Sequence, residues 1–318
     1  MKILVTGGAG FIGSHLCDAL LARGDDVTVL DNFNDFYDPA IKRGNAAALQ
    51  GARIVEGDIR DESLVNNLFV EGQFDVVVHL AAMAGVRPSL KDPLLYQDVN
   101  LKGTMVLLEA TRSRPGTKFV FASSSSVYGG NTKVPFHEDD PVLTPISPYA
   151  ATKRSSELLA WTHHHLFDIP TTGLRFFTVY GPRQRPEMAI HKFVRLVMNG
   201  EPIPFFGDGS TRRDYTYVSD IIDGVVRSID QCEGYEIYNL GESETTSLAE
   251  LVEAIGKACG QEPIIDRQPM QPGDVVITFA DVSKAREKLG YQPGVPVSRG
   301  LGLFVDWFRA NNPSQSEV

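Results

Sequence analysis

The chain begins with a strand, a glycine-rich turn and a helix, and this order restricts the possible folds more than any other feature. Residues 3–5 are apolar and predict a buried strand, and a helical pattern runs from about residue 11 to Gly24. Three glycines lie between them at intervals of three residues. Such glycines permit a tight turn, close approach of a pyrophosphate, and close packing of helix on strand. We therefore predict a Rossmann-type α/β fold whose helix N-terminus receives the phosphates of a dinucleotide. The predicted phosphate-binding residues are Gly7, Gly10, Phe11, Ile12 and Gly13.

A second apolar segment, residues 27–30, predicts the next strand and ends at Asp31, eighteen residues after Gly13. An acidic residue at this point of the fold binds the ribose 2′-hydroxyl of an adenine dinucleotide. Because its carboxylate would repel a 2′-phosphate, NAD is predicted rather than NADP. Arg43 is near enough in sequence to leave NADP open.

Further strands are predicted at residues 53–55, 75–80 and 118–121, with helical segments between them. This alternation is typical of a doubly wound parallel sheet, in which ligands bind beyond the carboxyl ends of the strands. Asp58 would contact the adenine end of the cofactor there, or would merely cap the turn after Gly57. The cofactor-binding wall is predicted to include Asn32, Asp58, Ile59, Leu80, Ala81, Ala82, Asn100 and Ser123.

Tyr149 and Lys153 lie four residues apart, so on a helix their polar ends face the same way. Ser147 and Pro148 are typical of an N-cap and a first helical residue, which puts the pair in the first turns of a helix. An ammonium group near a phenol favours the phenolate, so we expect Lys153 to lower the pKa of Tyr149 and to make it a general base. Ser124 would then hydrogen-bond a substrate oxygen. Alone, this spacing would also fit an ordinary helix face. Tyr149 and Lys153 are also predicted to contact the cofactor.

Composition excludes several classes of protein. The 318 residues are 42% hydrophobic, which is enough for a large core, and the net charge of −10 argues against a nucleic-acid partner. Cys17, Cys232 and Cys259 show no metal-ligand spacing and fit a reducing compartment. Residues 163–165 are three histidines, but successive helical residues diverge, so we expect a solvated face rather than a metal site. With no apolar run of ~18 residues and no signal peptide expected, we predict a cytoplasmic protein without membrane association.

Four motifs in order resemble those of the extended short-chain dehydrogenase/reductase family, specifically its nucleotide-sugar epimerases. They are the glycine loop, the serine-rich strand end at residues 123–126, Tyr149-x-x-x-Lys153, and Arg213-Asp214-Tyr215. The resemblance covers residues 1 to about 310. It implies a tightly held NAD and a UDP-sugar substrate.

The resemblance also implies a domain organisation. Residues 1–180 would form the NAD-binding Rossmann domain, and residues 181–310 a smaller α/β domain that binds the nucleotide sugar and interleaves with the first at their boundary. Residues 311–318 would be a frayed tail. A homodimer would pair through helices 98–113 and 148–167, which are apolar on more than one face; burial within the chain would explain that pattern too.

The residues after the catalytic serine distinguish reactions within the family. Dehydratases that resemble this chain carry Asp-Glu there to protonate a leaving hydroxyl, and the related decarboxylases carry a glutamate. This chain has Ser125 and Ser126, which leaves epimerisation as the simplest chemistry. Residues 175–188 are most similar to UDP-glucuronate 4-epimerases. The resemblance implies that Tyr149 removes the 4-hydroxyl proton while C4 hydride passes to NAD, and that the 4-ketone is reduced from its other face to give UDP-galacturonate.

The remaining substrate contacts also come from the resemblance. Arg213 would bind the diphosphate through paired N–H donors, or the adjacent arginines would pair with Asp208 and Asp214. Asp274 would accept from the uridine ribose, and Gln271 stands where the family often has arginine. The predicted substrate-binding residues are Ser125, Ser126, Thr178, Val179, Arg185, Arg213 and Asp274.

Two alternative functions stay open at this point. One is 4-epimerisation of a neutral UDP-hexose, and the other is a non-catalytic NAD-binding sensor built on the same fold. The presence of Ser124, Tyr149 and Lys153 argues against the sensor.

Overall fold

A computed structural model of the chain describes residues 1–270 and 275–312. The strands in this part of the chain are β1 (Lys2–Thr6), β2 (Asp26–Asp31), β3 (Arg53–Glu56), β4 (Val76–His79), β5 (Lys118–Ser124), β6 (Thr171–Phe176), β7 (Thr178–Tyr180), β8 (Ile203–Phe206), β9 (Arg212–Arg213), β10 (Tyr215–Tyr217), β11 (Tyr235–Leu240), β12 (Thr246–Ser247) and β13 (Ile265–Gln268). The α-helices are α1 (Phe11–Arg23), α2 (Pro39–Ala48), α3 (Glu62–Gly72), α4 (Val86–Lys91), α5 (Pro93–Gln97), α6 (Gly103–Arg112), α7 (Pro148–Phe167), α8 (Ala189–Met198), α9 (Val218–Asp230), α10 (Leu248–Cys259), α11 (Ser283–Leu289) and α12 (Val297–Asn311). A π-helical turn spans Asp98–Lys102, and a 3-10 turn spans Ser125–Tyr128.

Seven parallel strands form one central sheet in the order β11-β6-β5-β4-β1-β2-β3. Successive residues of each strand point to opposite faces, and both faces are buried. Ile3 and Val5 belong to the core on one face and Leu4 to the core on the other. Helices α1 and α9 pack together on one side, and α3, α6 and α7 pack on the other. The predicted doubly wound Rossmann-type fold and its strands are confirmed.

The glycine turn brings α1 close to β1. Gly7 has a φ of +71°, and a Cβ added at Gly13 would lie 2.7 Å from the Cα of Gly8 and closer still to the Gly7 carbonyl oxygen. Only glycine lets the helix begin this near the loop. Helix α1 ends at Gly24, where φ is +89°, as the sequence predicted.

The central sheet takes its edge strand from beyond residue 180. After β6 the chain leaves the sheet, and β7 pairs with β10 outside it. Helix α9 then leads back to β11, which lies beside β6 with Tyr235 opposite Thr171 and Leu240 opposite Phe176. The two parts of the chain are therefore interleaved through this return, and the second part packs α10 against α8 and α12.

Of the two helices expected to pair subunits, the one at residues 148–167 has the predicted bounds as α7, whereas the one at residues 98–113 differs from the prediction. Residues 98–113 form the π-helical turn followed by α6, and Leu107 and Leu108 are fully buried within the chain. Helix α7 instead exposes about half of Leu158 (51%) and Trp161 (48%). Internal burial thus accounts for much of the apolar pattern of α6, whereas α7 keeps an apolar surface.

His163 corrects the expectation of a solvated histidine face. Its side chain is buried, and its Nε2 lies 2.8 Å from Glu109 Oε1, which links α7 to α6. Of the three, only His165 is exposed, and His164 is half-buried. Helix α12 continues to Asn311, the first residue of the predicted tail, and residues 313–318 lie outside the described part.

The three cysteines are buried, and burial determines their protonation. Cys17, Cys232 and Cys259 are buried free thiols. Burial raises the pKa of Cys17 to about 12 and that of Cys259 to about 11, so these thiols stay protonated. Within the described residues, none of the helices is both long and apolar enough to cross a membrane.

Candidate active site

A cavity of about 630 Å³ lies beyond the carboxyl ends of the central strands, between the two parts of the chain. It brings together most of the residues that the sequence predicted for cofactor and substrate. Of these, the lining includes Gly7, Gly10, Phe11, Ile12, Gly13, Asp31, Asn32, Ile59, Leu80, Ala81, Ala82, Ser123, Ser124, Ser125, Ser126, Tyr149, Lys153, Thr178, Val179, Arg185 and Arg213.

Asp58 and Asn100 are not among the lining residues of the described chain. The Asp58 carboxylate accepts hydrogen bonds from Arg60 and from Asn32 Nδ2, and the Arg60 bond lowers the pKa of Asp58 to about 2. The buried Asn100 amide bonds both the N–H and the carbonyl of Met83, so it fixes the loop after β4. Gln271 and Asp274 lie outside the described residues.

Asp31 ends β2 at the cavity wall. Its two carboxylate oxygens accept from the backbone N–H groups of Ala9 (3.1 Å) and Phe33 (2.9 Å). Burial raises the pKa of Asp31, and these two hydrogen bonds oppose that effect. The carboxylate is thereby fixed beside the glycine loop.

The glycine loop fits a dinucleotide phosphate on its own geometry. Helix α1 starts after Gly10, and no described side chain caps its first N–H groups. Uncapped N–H groups and the positive end of the helix dipole are the donors that a phosphate needs. With Asp31 beside them, these donors match the requirements of NAD.

Two basic residues flank this end of the cavity. Arg43, which had left NADP open, forms a two-bond ion pair with Glu56 (2.9 and 3.1 Å) on the surface. Lys42 is buried, lines the cavity, and donates to the Asn34 carbonyl (2.9 Å) and side-chain oxygen (2.7 Å). Sequence reasoning missed Lys42, because only the fold shows that this lysine of α2 turns inward.

Helix α7 presents the catalytic pair as the sequence predicted. Ser147 Oγ accepts from Ala150 N (3.1 Å) as the N-cap, and Pro148 is the first helical residue. Lys153 is 6% exposed and donates from Nζ to the Ala122 carbonyl (2.8 Å) at the end of β5. Helix and strand therefore hold the Tyr149 and Lys153 side chains at one wall of the cavity.

The expected lowering of the Tyr149 pKa does not appear in the structure. Burial raises the pKa of Tyr149, and a hydrogen bond with Ser124 opposes this rise only in part. Burial also lowers the pKa of Lys153 to about 8. The sequence showed the neighbouring charge but not the loss of water around both groups, and this second effect is the larger one.

Ser124 is oriented by the turn that follows β5. Its Oγ accepts from both the N–H (3.2 Å) and the Oγ (2.9 Å) of Ser126. With both acceptor positions used, the Ser124 proton is free to point towards Tyr149 or towards a substrate oxygen. This arrangement suits a hydroxyl that donates as negative charge develops.

The opposite wall comes from β7, β9 and the segment after β7. The N–H of Thr178 donates to the Asp214 carbonyl (3.0 Å), which fixes the backbone of Thr178 at the cavity. Arg185 lies over the Phe36 ring at 5.4 Å and pairs with Glu187 at 3.3 Å. Both Thr178 and Arg185 therefore reach the cavity that contains Tyr149.

Within the described residues, the adjacent arginines do not form the predicted ion pairs with Asp208 and Asp214. Asp208 accepts from Ser210, and the buried Asp214 carboxylate accepts from backbone N–H groups that include that of Glu242. Arg212 pairs with Glu250 at 3.2 Å, while Arg213 lines the cavity.

The described part of the cavity lining carries more basic than acidic residues, although the protein as a whole is acidic. Its described lining contains five basic residues against two acidic ones, Asp31 and Glu187, although the whole chain carries −10. Such a field attracts anionic ligands. The basic residues are Lys42, Arg87, Lys153, Arg185 and Arg213. No local sequence pattern predicts Arg87 at the cavity, because its helix reaches the cavity only through the tertiary fold.

These features define a nucleotide-binding α/β enzyme site with a Ser-Tyr-Lys set. The chain belongs to the family described as GDP-mannose 4,6 dehydratase, with residues 4–302 matched. It is 42% identical to UDP-glucuronate 4-epimerase 3 of Arabidopsis thaliana over 329 residues, which cover 96% of this chain and 76% of that protein.

Solved structures narrow the class further. The UDP-glucuronic acid 4-epimerase of Bacillus cereus, in complex with UDP-glucuronic acid and NAD, is 38% identical, with a TM-score of 0.91 over 98% of this chain and 100% of that one. The UDP-glucose 4-epimerase of Thermotoga maritima, with UDP-glucose, is 35% identical, with a TM-score of 0.91 over 98% and 99%. The protein is thus a UDP-sugar 4-epimerase of the short-chain dehydrogenase/reductase type, and its cofactor is NAD.

Proposed function

We propose that the enzyme interconverts UDP-glucuronate and UDP-galacturonate by inverting C4. The observation that carries this proposal is the composition of a single cavity. It holds Ser124, Tyr149 and Lys153 together with the hydroxyl residues Ser125, Ser126 and Thr178 and the cation Arg185. Hydroxyls and a guanidinium suit a carboxylate that must be held without being protonated.

In this proposal the residues around C4 move one proton. Tyr149 accepts the proton of the 4-hydroxyl, Lys153 stabilises the resulting phenolate, and Ser124 donates a hydrogen bond to the substrate oxygen. When bound, NAD would supply the hydride chemistry that oxidises C4 and then reduces it again. Asp31 would bind the adenosine ribose, and the N-terminus of α1 the pyrophosphate. We propose, on the same grounds, those other predicted cofactor and substrate contacts that line the cavity.

The absence of a carboxylic acid immediately after Ser124 supports epimerisation over elimination or decarboxylation. Ser125 and Ser126 cannot protonate a leaving hydroxyl at neutral pH. The oxidised uronate is a β-keto acid, which loses CO2 readily when its carboxylate bond is perpendicular to the ketone plane. We propose that Thr178 and the serine hydroxyls restrain that rotation by binding the carboxylate oxygens.

The test is a substrate panel. Purified protein is incubated separately with UDP-glucuronate, UDP-glucose and UDP-N-acetylglucosamine, and products are separated by chromatography and identified by proton NMR. We expect UDP-galacturonate from the first and much slower turnover of the other two. Preference for a neutral sugar would contradict the proposal, and absence of turnover on all three would favour the sensor alternative.

The neutral-hexose alternative is favoured by one observation, the equal TM-score of the UDP-glucose 4-epimerase. The substitution Arg185→Met separates the two, because only a uronate needs the guanidinium. If the proposal is right, this variant loses UDP-glucuronate turnover and keeps whatever UDP-glucose turnover exists.

We propose further that the enzyme is a homodimer paired through α7 and the neighbouring helices. Leu158 and Trp161 are half exposed on α7, and Leu94 is 75% exposed on α5, which packs against α7. Such apolar area suits a subunit interface. Leu158→Glu should give a smaller particle in light scattering, and an unchanged mass would contradict this interface.

A further inference from the structure

Glu157 is a fully buried carboxylate next to the catalytic pair. Its Oε1 accepts from Ser123 Oγ (2.7 Å) and Arg175 Nε (2.9 Å), and its Oε2 accepts from Arg175 Nη2 (3.0 Å) and Arg154 Nη1 (2.8 Å). Its exposure is 0%. A buried carboxylate with four donors is held in one orientation.

Glu157 follows Lys153 by one helical turn on the same face of α7. The two side chains reach neighbouring residues of β5, because Lys153 donates to the Ala122 carbonyl and Glu157 accepts from Ser123. Ser124 comes next on that strand. These two contacts therefore fasten the strand end that carries Ser124 to the helix that carries Tyr149.

We propose that Glu157 is a positioning residue for the reaction: its negative charge keeps Lys153 protonated inside the buried site, and its hydrogen bond to Ser123 holds Ser124 in line with Tyr149. A purely structural reading is that Glu157 only neutralises Arg175. The two readings differ in what they predict for the ionisation of Lys153.

Among the charged groups around Lys153, Glu157 is the one that favours its protonated form. Burial lowers the pKa of Lys153 to about 8, and Glu157 is the group that opposes this. The other titratable neighbours are Tyr149 on the same helix, which is neutral before reaction, and His79 on β4, which burial keeps neutral with a pKa of about 3. Arg175 on β6 and Arg154 on α7 act through Glu157, since both pair with it.

The sign of the effect follows from these charges. Without its negative partner, Lys153 loses its proton at lower pH, and the buried Arg175 adds repulsion. Activity that requires the ammonium form of Lys153 is then lost at a lower pH than in the wild type. Removal of Arg154 has the opposite effect, because Glu157 is left less compensated and holds the Lys153 proton more strongly. A structural defect alone cannot shift the two variants in opposite directions.

The experiment compares Glu157→Gln, Glu157→Asp and Arg154→Gln with the wild type. The inference rests on the proposed function only for the sugar that is turned over, so kcat/KM is measured from pH 6 to 9.5 with whichever UDP-sugar the wild type accepts. We expect the alkaline limb to move down by about 1 unit in Glu157→Gln and up by about 0.3 unit in Arg154→Gln. Glu157→Asp should restore part of the wild-type profile.

A second readout does not depend on turnover. The NAD(H) retained after gel filtration is measured over the same pH range, since Lys153 lines the cavity and its charge favours an anionic cofactor. Retention should fail at lower pH in Glu157→Gln than in the wild type. Equal loss at every pH, or limbs that move the same way in Glu157→Gln and Arg154→Gln, would overturn the inference. Arg154 is partly exposed, so Arg154→Gln should fold even if Glu157→Gln does not, and an alkaline limb that does not move up in Arg154→Gln would by itself overturn the inference.

Discussion

Gly13 should tolerate no side chain at all. An added Cβ would lie 2.7 Å from Gly8 Cα, closer still to the Gly7 carbonyl oxygen, and about 0.7 Å inside ordinary van der Waals contact even with the first of these. Because backbone atoms form both contacts, α1 must move away from the loop. We expect Gly13→Ala to cost roughly 2–3 kcal/mol of unfolding free energy, which for a chain of this length lowers Tm by about 3–5 °C.

The matched control is Gly44→Ala, the same change within helix α2. A Cβ at Gly44 would meet nothing within 4 Å, and the residue is exposed. Alanine there should add about 0.5–1 kcal/mol of stability. Both variants are measured by thermal unfolding and by the NAD(H) that they retain. If Gly13→Ala unfolds at the wild-type temperature and keeps its cofactor, the proposed close packing is not required.

Four further predictions concern the site and its surroundings. Tyr149→Phe should keep NAD but lose about 10²-fold or more in kcat; near-normal turnover would remove Tyr149 as the base. Protein purified without added cofactor should release NAD(H) on denaturation, because Asp31 repels a 2′-phosphate, and recovery of mainly NADP(H) would contradict this. Thr178→Ala should slow epimerisation and release CO2 and a UDP-4-keto-pentose, with NADH left on the enzyme, whereas slower turnover without CO2 or trapped NADH would mean that the hydroxyl serves affinity alone. Burial lowers the pKa of His79 to about 3, so only the unfolded chain binds this proton between pH 6.5 and pH 5, and stability falls as the pH is lowered. Between pH 7 and pH 5, His79→Gln should lose about 2 kcal/mol less unfolding free energy than the wild type in urea titrations. Equal losses would refute this role of His79.

The fold of the first half was predictable because its signals are local. The glycine spacing, the apolar strands and the Ser147-Pro148 helix start each depend on residues close together in sequence, and each is confirmed. The edge strand β11 carried no comparable signal. Its place beside β6 depends on the path of the chain through the second half, and sequence spacing does not encode this path.

Only part of the site could be predicted from the sequence, for the same reason. Ser124, Tyr149 and Lys153 could be found from spacing, and all three line the cavity. Lys42 and Arg87 could not, because whether a helical lysine or arginine turns inward depends on what packs around it. The predicted lowering of the Tyr149 pKa was wrong for a related reason. A sequence shows which charges are near, but not how much water the fold removes.

Because the chain returns to the sheet edge as β11, a fragment that contains only the first half lacks the strand that covers β6. A fragment that stopped near residue 180 would leave β6 with a bare edge of six residues that are all buried in the whole chain. Such an edge invites pairing with other molecules. The buried Asn239 of β11 also bonds Tyr128 and Phe136 in the first half, so a fragment would lose these partners too. Chimeras that exchange substrate specificity with a relative should therefore keep residues 235–240 from the parent that supplies β6, and should exchange the intervening segments instead.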